Sequence, residues 1–388
     1  MIGRETVAIE YDIEKLEYTI NRTGFPMEYE VQKILENHGW SVISNKFYVD
    51  DVKKIEREID LVATKRVVKD NILCEVNLII SCKKSESAWW IFLTSNCRGN
   101  NSYPIRYMTD IKMVRYAFEN ESGLVQSCLE ENMRKVMKAD SDIRAYLQIN
   151  KDSYRDEGNK HIYDSILTTI KAENYENYYR VKYDKLLKQY FICYHLLSIF
   201  DGKMIEKNLE TNMNHEVTEL NYMNRHIISE EDRLYRVHFV TLDVFDSILT
   251  EYDGVVDETV RLCINIQNKL YRNIFHEENR NYVMVYWDDF CREFWENIAK
   301  QYDYSDHILD NVERNYTGMD YFFSKNKKLH INLNLFLYTN MAKKNIINEL
   351  NKNEFCRKLT ERLLKKYYKY EGKFLFGIDR EGEAKWKC

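Results

Sequence analysis

The chain has 388 residues, of which 44% are hydrophobic and 31% charged, and its formal net charge is −5. This length is typical of two or three domains, or of one core with large additions. No run approaches the roughly 18 apolar residues that a membrane-spanning helix needs, and the negative charge argues against nucleic-acid binding over the whole surface.

The cysteines and the first residues indicate the compartment. Nine cysteines are scattered along the chain without a C-x-x-C pair, a pattern typical of reduced thiols rather than of a disulfide scaffold or a structural zinc site. The segment 1–11 carries Arg4, Glu5 and Glu10 and lacks the apolar centre of a secretory signal. We therefore expect a cytoplasmic protein that does not associate with a membrane.

The first predicted element is a helix. Pro26 suits the first turn of a helix, and Gly39 is a typical residue just beyond a helix end. Between them, apolar residues recur with helical spacing on one face: Met27, Val31, Ile34 and Leu35.

Three strands are predicted next, at Trp40–Tyr48, Glu58–Thr64 and Ile72–Lys83. The third contains Leu78-Ile79-Ile80, a continuous apolar run that a strand covered on both faces requires. The pattern therefore predicts one sheet with the first helix packed on it.

The remainder of the chain divides by pattern into further regions. Residues 105–190 are predicted to be mainly helical, residues 191–254 to supply strands that complete or extend the core sheet, and residues 255–388 to form a helical C-terminal region. The strands of the middle region are Phe191–Phe200 and Leu234–Phe245, and Asp201-Gly202 indicates a hairpin that leads into Lys203–Lys207. The core itself is expected to span residues 20–104.

Four residues in the predicted core have the character of a catalytic site: Glu28, Asp60, Ser81 and Lys83. Side chains alternate along a strand, so Ser81 and Lys83 share one face of their strand, and Asp60 shares a face with Glu58. If the two strands are neighbours, Asp60 and Lys83 converge at one end of the sheet.

Such a group of residues suits metal-assisted hydrolysis of a phosphodiester. Mg²⁺ prefers carboxylate oxygens, backbone carbonyls and waters as ligands, and it polarises a phosphoryl oxygen. The candidate metal ligands are Asp60, Glu28 and Glu58. The ammonium group of Lys83 can stabilise the charge that develops on the phosphate.

Residues 24–95 resemble the PD-(D/E)xK nuclease superfamily, and in particular Mrr-like restriction endonucleases. M-E-Y-E-V-Q-K-I-L-E-N-H-G-W resembles the opening helix, R-E-I-D-L-V-A the strand with the metal-binding Asp, and S-C-K-K-S the (D/E)xK strand. The resemblance implies an α+β or α/β fold, with a restriction-endonuclease-like core of a helix and a mixed β-sheet and with large, mostly helical additions. It also implies Mg²⁺ or Mn²⁺ as cofactor, catalytic roles for Glu28, Asp60, Ser81 and Lys83, and a homodimer.

The sequence departs from the family pattern at Ser81, where the family usually has Glu or Asp. The hydroxyl group is neutral, so we expect weaker metal binding. Glu75 lies on the same face of the strand but about 20 Å away, too far to substitute. Glu58 and Glu28 are better candidates for the missing carboxylate.

A basic segment near the C-terminus is the second candidate region. Basic residues alternate there with three tyrosines, Tyr367, Tyr368 and Tyr370: Arg357, Lys358, Arg362, Lys365, Lys366 and Lys369. Such a helix can bind a phosphate backbone, and Arg362, Lys365, Lys366 and Lys369, together with Lys84 of the core, are the candidate nucleic-acid contacts. The other interpretation is a solvated helix face that balances the acidic residues 276–313.

Two functions follow. The first is a Mg²⁺-dependent endonuclease of the restriction or phage-defence type, with DNA rather than RNA as the expected partner. The second is a catalytically inactive protein of the same fold that binds nucleic acid or docks onto another protein subunit. No G-x-x-x-x-G-K-[ST] motif is present, so the sequence encodes no ATP-driven translocation of that kind.

Overall fold

A computed structural model describes residues 12–97, 104–183, 189–272, 274–276, 279–302, 309, 318–323, 328–335 and 337–378. The chain divides into two compact units, one formed by Met1–Ile111 and Ser122–Ile264, the other by Lys112–Glu121 and Asn265–Cys388. Helices and mixed sheets occur in both, so the fold is of the α+β type.

The helices, in chain order, are α1 (Ile13–Asn21), α2 (Phe25–Asn37), α3 (Lys112–Asn120), α4 (Ser122–Cys128), α5 (Glu131–Met137), α6 (Lys160–Tyr183), α7 (Phe245–Tyr271), α8 (Arg280–Tyr302), α9 (Asn340–Lys352) and α10 (Glu354–Tyr368). The strands are β1 (Ser41–Val49), β2 (Glu56–Lys69), β3 (Ile72–Lys84), β4 (Ala88–Asn96), β5 (Arg106–Thr109), β6 (Ser141–Asn150), β7 (Tyr190–Asp201), β8 (Met204–Asn208), β9 (Asn214–Val217), β10 (Glu219–Ile228), β11 (Glu231–Thr241), β12 (Met319–Phe323), β13 (Leu329–Leu333) and β14 (Phe374–Ile378).

A seven-stranded mixed sheet forms the centre of the first unit. Its order is β1-β2-β3-β7-β11-β10, and β5 pairs with the first half of β7. β3, β7 and β11 are parallel to one another, whereas β1 and β2 are antiparallel to their neighbours. The prediction of three adjacent strands is confirmed, and β7 and β11 extend the sheet as the sequence indicated.

Helices pack on this sheet for reasons visible in the sequence. Met27, Val31 and Leu35 form the buried face of α2, which contacts β1, β2 and β3. Gly39 follows the helix with a φ of +78°, the left-handed conformation that glycine adopts without a steric penalty. β3 is buried along nearly its whole length, as expected for its continuous apolar run.

The second sheet of this unit shows where the sequence-based predictions were wrong. Residues Lys203–Lys207 do not form a hairpin with the preceding strand; β8 pairs in parallel with β4 instead. Its sheet has the order β6-β4-β8-β9. Met204 of β8 is fully buried in the core cluster that also contains Trp90 and Phe200. The Asp-Gly turn signal cannot specify this packing. Residues 105–190 are mainly helical, with four helices, and also contain the strands β5 and β6.

Gly202, at the turn between β7 and β8, provides a test of this packing. A Cβ atom there would lie 2.5 Å from Cζ of Phe200, and the Phe200 ring is buried and stacked on Trp90 at a centroid distance of 3.9 Å. The ring has little room to move, so we expect Gly202→Ala to lower the free energy of unfolding by about 1–3 kcal/mol.

Gly123 is the matched control. A Cβ atom at this position in α4 would meet no atom within 4 Å, so Gly123→Ala should be neutral or should stabilise the protein by up to about 1 kcal/mol. Urea denaturation of both variants measures the difference. Equal stability of the two variants would show that the Phe200 ring yields.

The second unit combines helices with a small sheet. β12, β13 and β14 form that sheet in this order, with β13 and β14 parallel; residues 255–388 are therefore not purely helical. Trp287 and Phe290 of α8 stack at 5.2 Å in its core, next to Tyr321. Throughout the described residues, no helix is long and apolar enough to cross a membrane, and the eight cysteines there form no disulfide bond.

Candidate functional site

The candidate site lies where β2 and β3 separate. Their antiparallel pairing runs from Lys69–Ile72 to Leu61–Ile80. Beyond that point β2 continues along β1, while β3 continues along β7 up to the Lys84–Asp201 pair. Asp60 therefore lies at the point where the two strands diverge, and its carboxylate can reach β3.

One oxygen of Asp60 receives three hydrogen bonds from β3. Oδ2 accepts from Ser81 Oγ at 3.1 Å, from the backbone N–H of Cys82 at 2.5 Å and from Lys83 Nζ at 3.3 Å. The side chains of Ser81 and Lys83 thus share one face, and Cys82 is buried and contributes its backbone. The arrangement holds a carboxylate and an ammonium group together at a partly exposed position.

Oδ1 of Asp60 takes part in none of these three bonds. It is therefore the oxygen that could ligate a cation. Lys83 also donates to the carbonyl of Cys82 at 3.0 Å, so its ammonium group is fixed by two acceptors.

Glu28 of α2 lies beside this group. Burial raises the pKa of its carboxyl, the negative charges of Asp60 and Glu58 raise it further, and the positive charge of Lys83 opposes them. Glu28 and Glu58 are therefore close enough to Asp60 and Lys83 to interact electrostatically, whereas the direct contacts of the site join Asp60 to Ser81, Cys82 and Lys83. Glu58 is solvent-exposed on β2.

Asn45 belongs to the same site and was missed by the sequence-based reasoning. Its side-chain amide lowers the pKa of Glu28, and it lies on β1 between Ser44, which pairs with Leu61, and Lys46, which pairs with Ile59. Asn45 is therefore opposite Asp60. Its φ of +52° is a left-handed conformation that is unusual within a strand and is found at functional sites. The signal in the sequence that could have identified it is an Asn inside a predicted strand whose side chains alternate between the two faces.

Glu75, the acid on the same face of β3 as Ser81, is bound to other partners. Ser81 is fully buried, and so is Glu75 on the same strand. Glu75 is bound to Arg66 at 2.5 Å and accepts from Asn77 at 2.7 Å. It is committed to these partners, in agreement with the expectation that it does not replace the missing acid.

The donor set fits a hard divalent cation that retains part of its water shell. Mg²⁺ is commonly held by one or two carboxylates together with waters and substrate phosphates, and Asp60 and Glu28 provide two. In the part of the chain that the structure describes, no group of three or more His, Cys, Asp or Glu side chains is placed to hold a metal ion. Metal binding by Asp60, Glu28 and Glu58 therefore stays a prediction.

The basic segment lies on α10 in the second unit, with Lys369 directly after the helix, and its cations have neighbours within the protein. Arg362 donates to Asn297, Lys365 pairs with Glu371, Lys366 pairs with Glu293, and Lys369 lies over the ring of Tyr271. Glu293 belongs to the acidic stretch 276–313, so this contact agrees with the interpretation of a balanced, solvated face. In the first unit, Lys84 pairs with Asp201 at 3.1 Å.

The comparisons with known proteins add no relative. No protein-family model, no curated protein and no solved structure matches the chain.

Proposed function

We propose that the chain is a divalent-metal-dependent endonuclease that cleaves DNA phosphodiester bonds in a restriction or phage-defence role. The observation that carries the proposal is the convergence of Asp60, Ser81 and Lys83 at the point where β2 and β3 separate. A helix followed by a mixed sheet, α2 with β1–β3 and β7, is also the arrangement that the family resemblance implies.

Each side chain has a role that its surroundings support. Lys83 holds a positive charge at the site and can stabilise the negative charge that develops on a phosphate. Asp60 orients that ammonium group through Oδ2 and keeps Oδ1 for a cation. Ser81 fixes the rotamer of Asp60 through its hydroxyl donor. A bound Mg²⁺ or Mn²⁺ would supply Lewis-acid stabilisation of the phosphoryl oxygens.

Nicking of supercoiled plasmid DNA by the full chain tests the proposal. We expect relaxed and then linear products with Mg²⁺ or Mn²⁺ and none in the presence of a chelator. If neither metal supports cleavage at any concentration, the second function is favoured: an inactive protein of this fold that binds nucleic acid or a partner subunit. The neutral Ser81 in place of an acid is the observation that favours that second function.

The Ser81→Glu variant tests the position of the metal without a cleavage assay. A buried carboxylate there would lie beside Asp60, and the like charges should destabilise the fold unless a cation lies between them. We expect the variant to unfold at a lower temperature than the wild type in chelator, and Mn²⁺ well above its Kd to raise its Tm by about 5–10 °C.

Ser81→Gln is the control for that experiment, because it has the size of Glu without the charge. Its Tm should respond to Mn²⁺ no more than that of the wild type. An equal Mn²⁺ response of the Glu and Gln variants would place the metal away from Asp60.

A further inference from the structure

A cavity of about 1040 Å³ lies in the first unit, at the turn that joins β1 to β2. The turn, the second half of α6 and the start of β11 line it. Val49, at its edge, is four residues along β1 from Asn45, which corresponds to about 13 Å. The cavity is therefore separate from the site around Asp60.

Three tyrosines of α6 form one wall. The rings of Tyr175 and Tyr179 have centroids 4.2 Å apart, and Tyr178 meets Tyr179 nearly edge-on at 5.5 Å. Tyr178 is 69% exposed although it is a large aromatic residue. Such a cluster offers ring faces on which a planar ligand can stack.

One carboxylate oxygen of Asp51 is a buried hydrogen-bond acceptor to which no described group donates a hydrogen bond. Its Oδ2 accepts the backbone N–H of Ser229 at 2.8 Å, whereas Oδ1 is buried and has no hydrogen-bond partner among the described residues. Lys171 Nζ lies at ion-pair distance from Oδ1, 3.6 Å, but donates its hydrogen bond to Asp50 at 2.8 Å. A buried carboxylate oxygen without a donor is costly, so a ligand N–H or O–H group would be favoured there.

Two cations, Lys54 and Arg233, also line the cavity, together with the acids Asp50 and Glu231. Lys54 lies on the turn and forms no ion pair with any described residue, and Arg233 lies on β11 in contact with Glu231. Ammonium and guanidinium groups at the rim of an aromatic cavity suit a phosphate.

We propose that this cavity binds a nucleotide. The base stacks on Tyr178 and Tyr179, Asp51 accepts a hydrogen bond from a base amino group or a ribose hydroxyl, and Lys54 and Arg233 contact the phosphate. The volume lies at the upper limit of the range of ligand cavities, about 1000 Å³, so a nucleotide fits within it. The nucleotide is either free in solution or part of a single-stranded nucleic acid, and the proposal does not depend on nuclease activity.

Calorimetric titration of the full chain with AMP, GMP, CMP and UMP, and with a single-stranded oligonucleotide, tests the proposal. Chelator is present to prevent cleavage. Binding of mononucleotides would show that the ligand is a free nucleotide. Binding of the oligonucleotide alone would show that the ligand is a single-stranded nucleic acid. Failure of all five probes to bind would overturn the proposal.

Substitutions locate the binding. Tyr178→Ala should weaken nucleotide binding about tenfold or more, because the base loses one of its stacking partners. Lys54→Ala should weaken the binding of nucleotides but not of nucleosides. Tyr163→Ala is the matched control, because Tyr163 is an exposed tyrosine of the same helix that does not line the cavity. Equal affinity of the Tyr178 and Tyr163 variants would place the ligand elsewhere and overturn the proposal.

Discussion

Replacing Asp60 with Asn should reduce metal-dependent nicking of plasmid DNA about 10³-fold, because one substitution affects every part of the candidate site. The negative charge that faces Lys83 is lost, and so is the carboxylate whose Oδ1 is available to a cation. The change is nearly isosteric, and the backbone N–H of Cys82 can still donate to the Asn oxygen. We therefore expect the fold to be retained, which circular dichroism and the Tm will verify.

Lys83→Ala should cause a similar loss, since the ammonium group is the only positive charge hydrogen-bonded to Asp60 among the described residues. Glu56→Gln is the control: Glu56 is an exposed acid on the same strand, and its loss should leave the rate within about twofold of the wild type, because exposed charges interact weakly. Cleavage that is unaffected by both Asp60→Asn and Lys83→Ala would place the chemistry elsewhere in the chain.

Asp50→Ala should lower the free energy of unfolding by about 3–5 kcal/mol, the usual cost of removing one partner from a buried ion pair. Asp50 is 2% exposed. It pairs with Lys171 at 2.8 Å and with Arg57 at 3.2 Å, and it accepts the backbone N–H groups of Val52 and Lys53. Its loss leaves the two backbone N–H groups of the β1–β2 turn without this acceptor, and it leaves Lys171 with Asp51 at 3.6 Å as its remaining acidic partner.

The same residue predicts a pH dependence. Burial favours the neutral form of Asp50, but the hydrogen bonds from Lys171 and the turn outweigh it and lower the pKa from 3.8 to about 2. A lowered pKa gives stability that is fully present above about pH 4 and is lost as the pH falls towards 2. This loss corresponds to about 2 kcal/mol.

Urea denaturation at neutral pH and at several acidic pH values measures both effects. The wild type should lose more stability than Asp50→Ala between pH 4 and pH 2. Asp140→Ala, at an acid whose side chain is 80% exposed, should behave like the wild type. Parallel pH curves for the wild type and Asp50→Ala would contradict the assignment of this pKa.

Local patterns in the sequence determined the elements of the core. The stripe of Met27, Val31 and Leu35 defined the buried face of α2, and Gly39 marked its end. The apolar run Leu78-Ile79-Ile80 identified a strand buried on both faces. Such features depend on neighbours within a few residues, because helix and strand periodicity and chain reversal are local properties.

Only the tertiary structure decided the contacts between distant residues. The bond from Cys82 N to Asp60, the pairing of β8 with β4 instead of β7 and the contact of Lys366 with Glu293 all join segments that are far apart in the chain. So does the position of Asn45 opposite Asp60. A turn signal or a charge run is compatible with several partners, and burial of the whole sheet selects one of them.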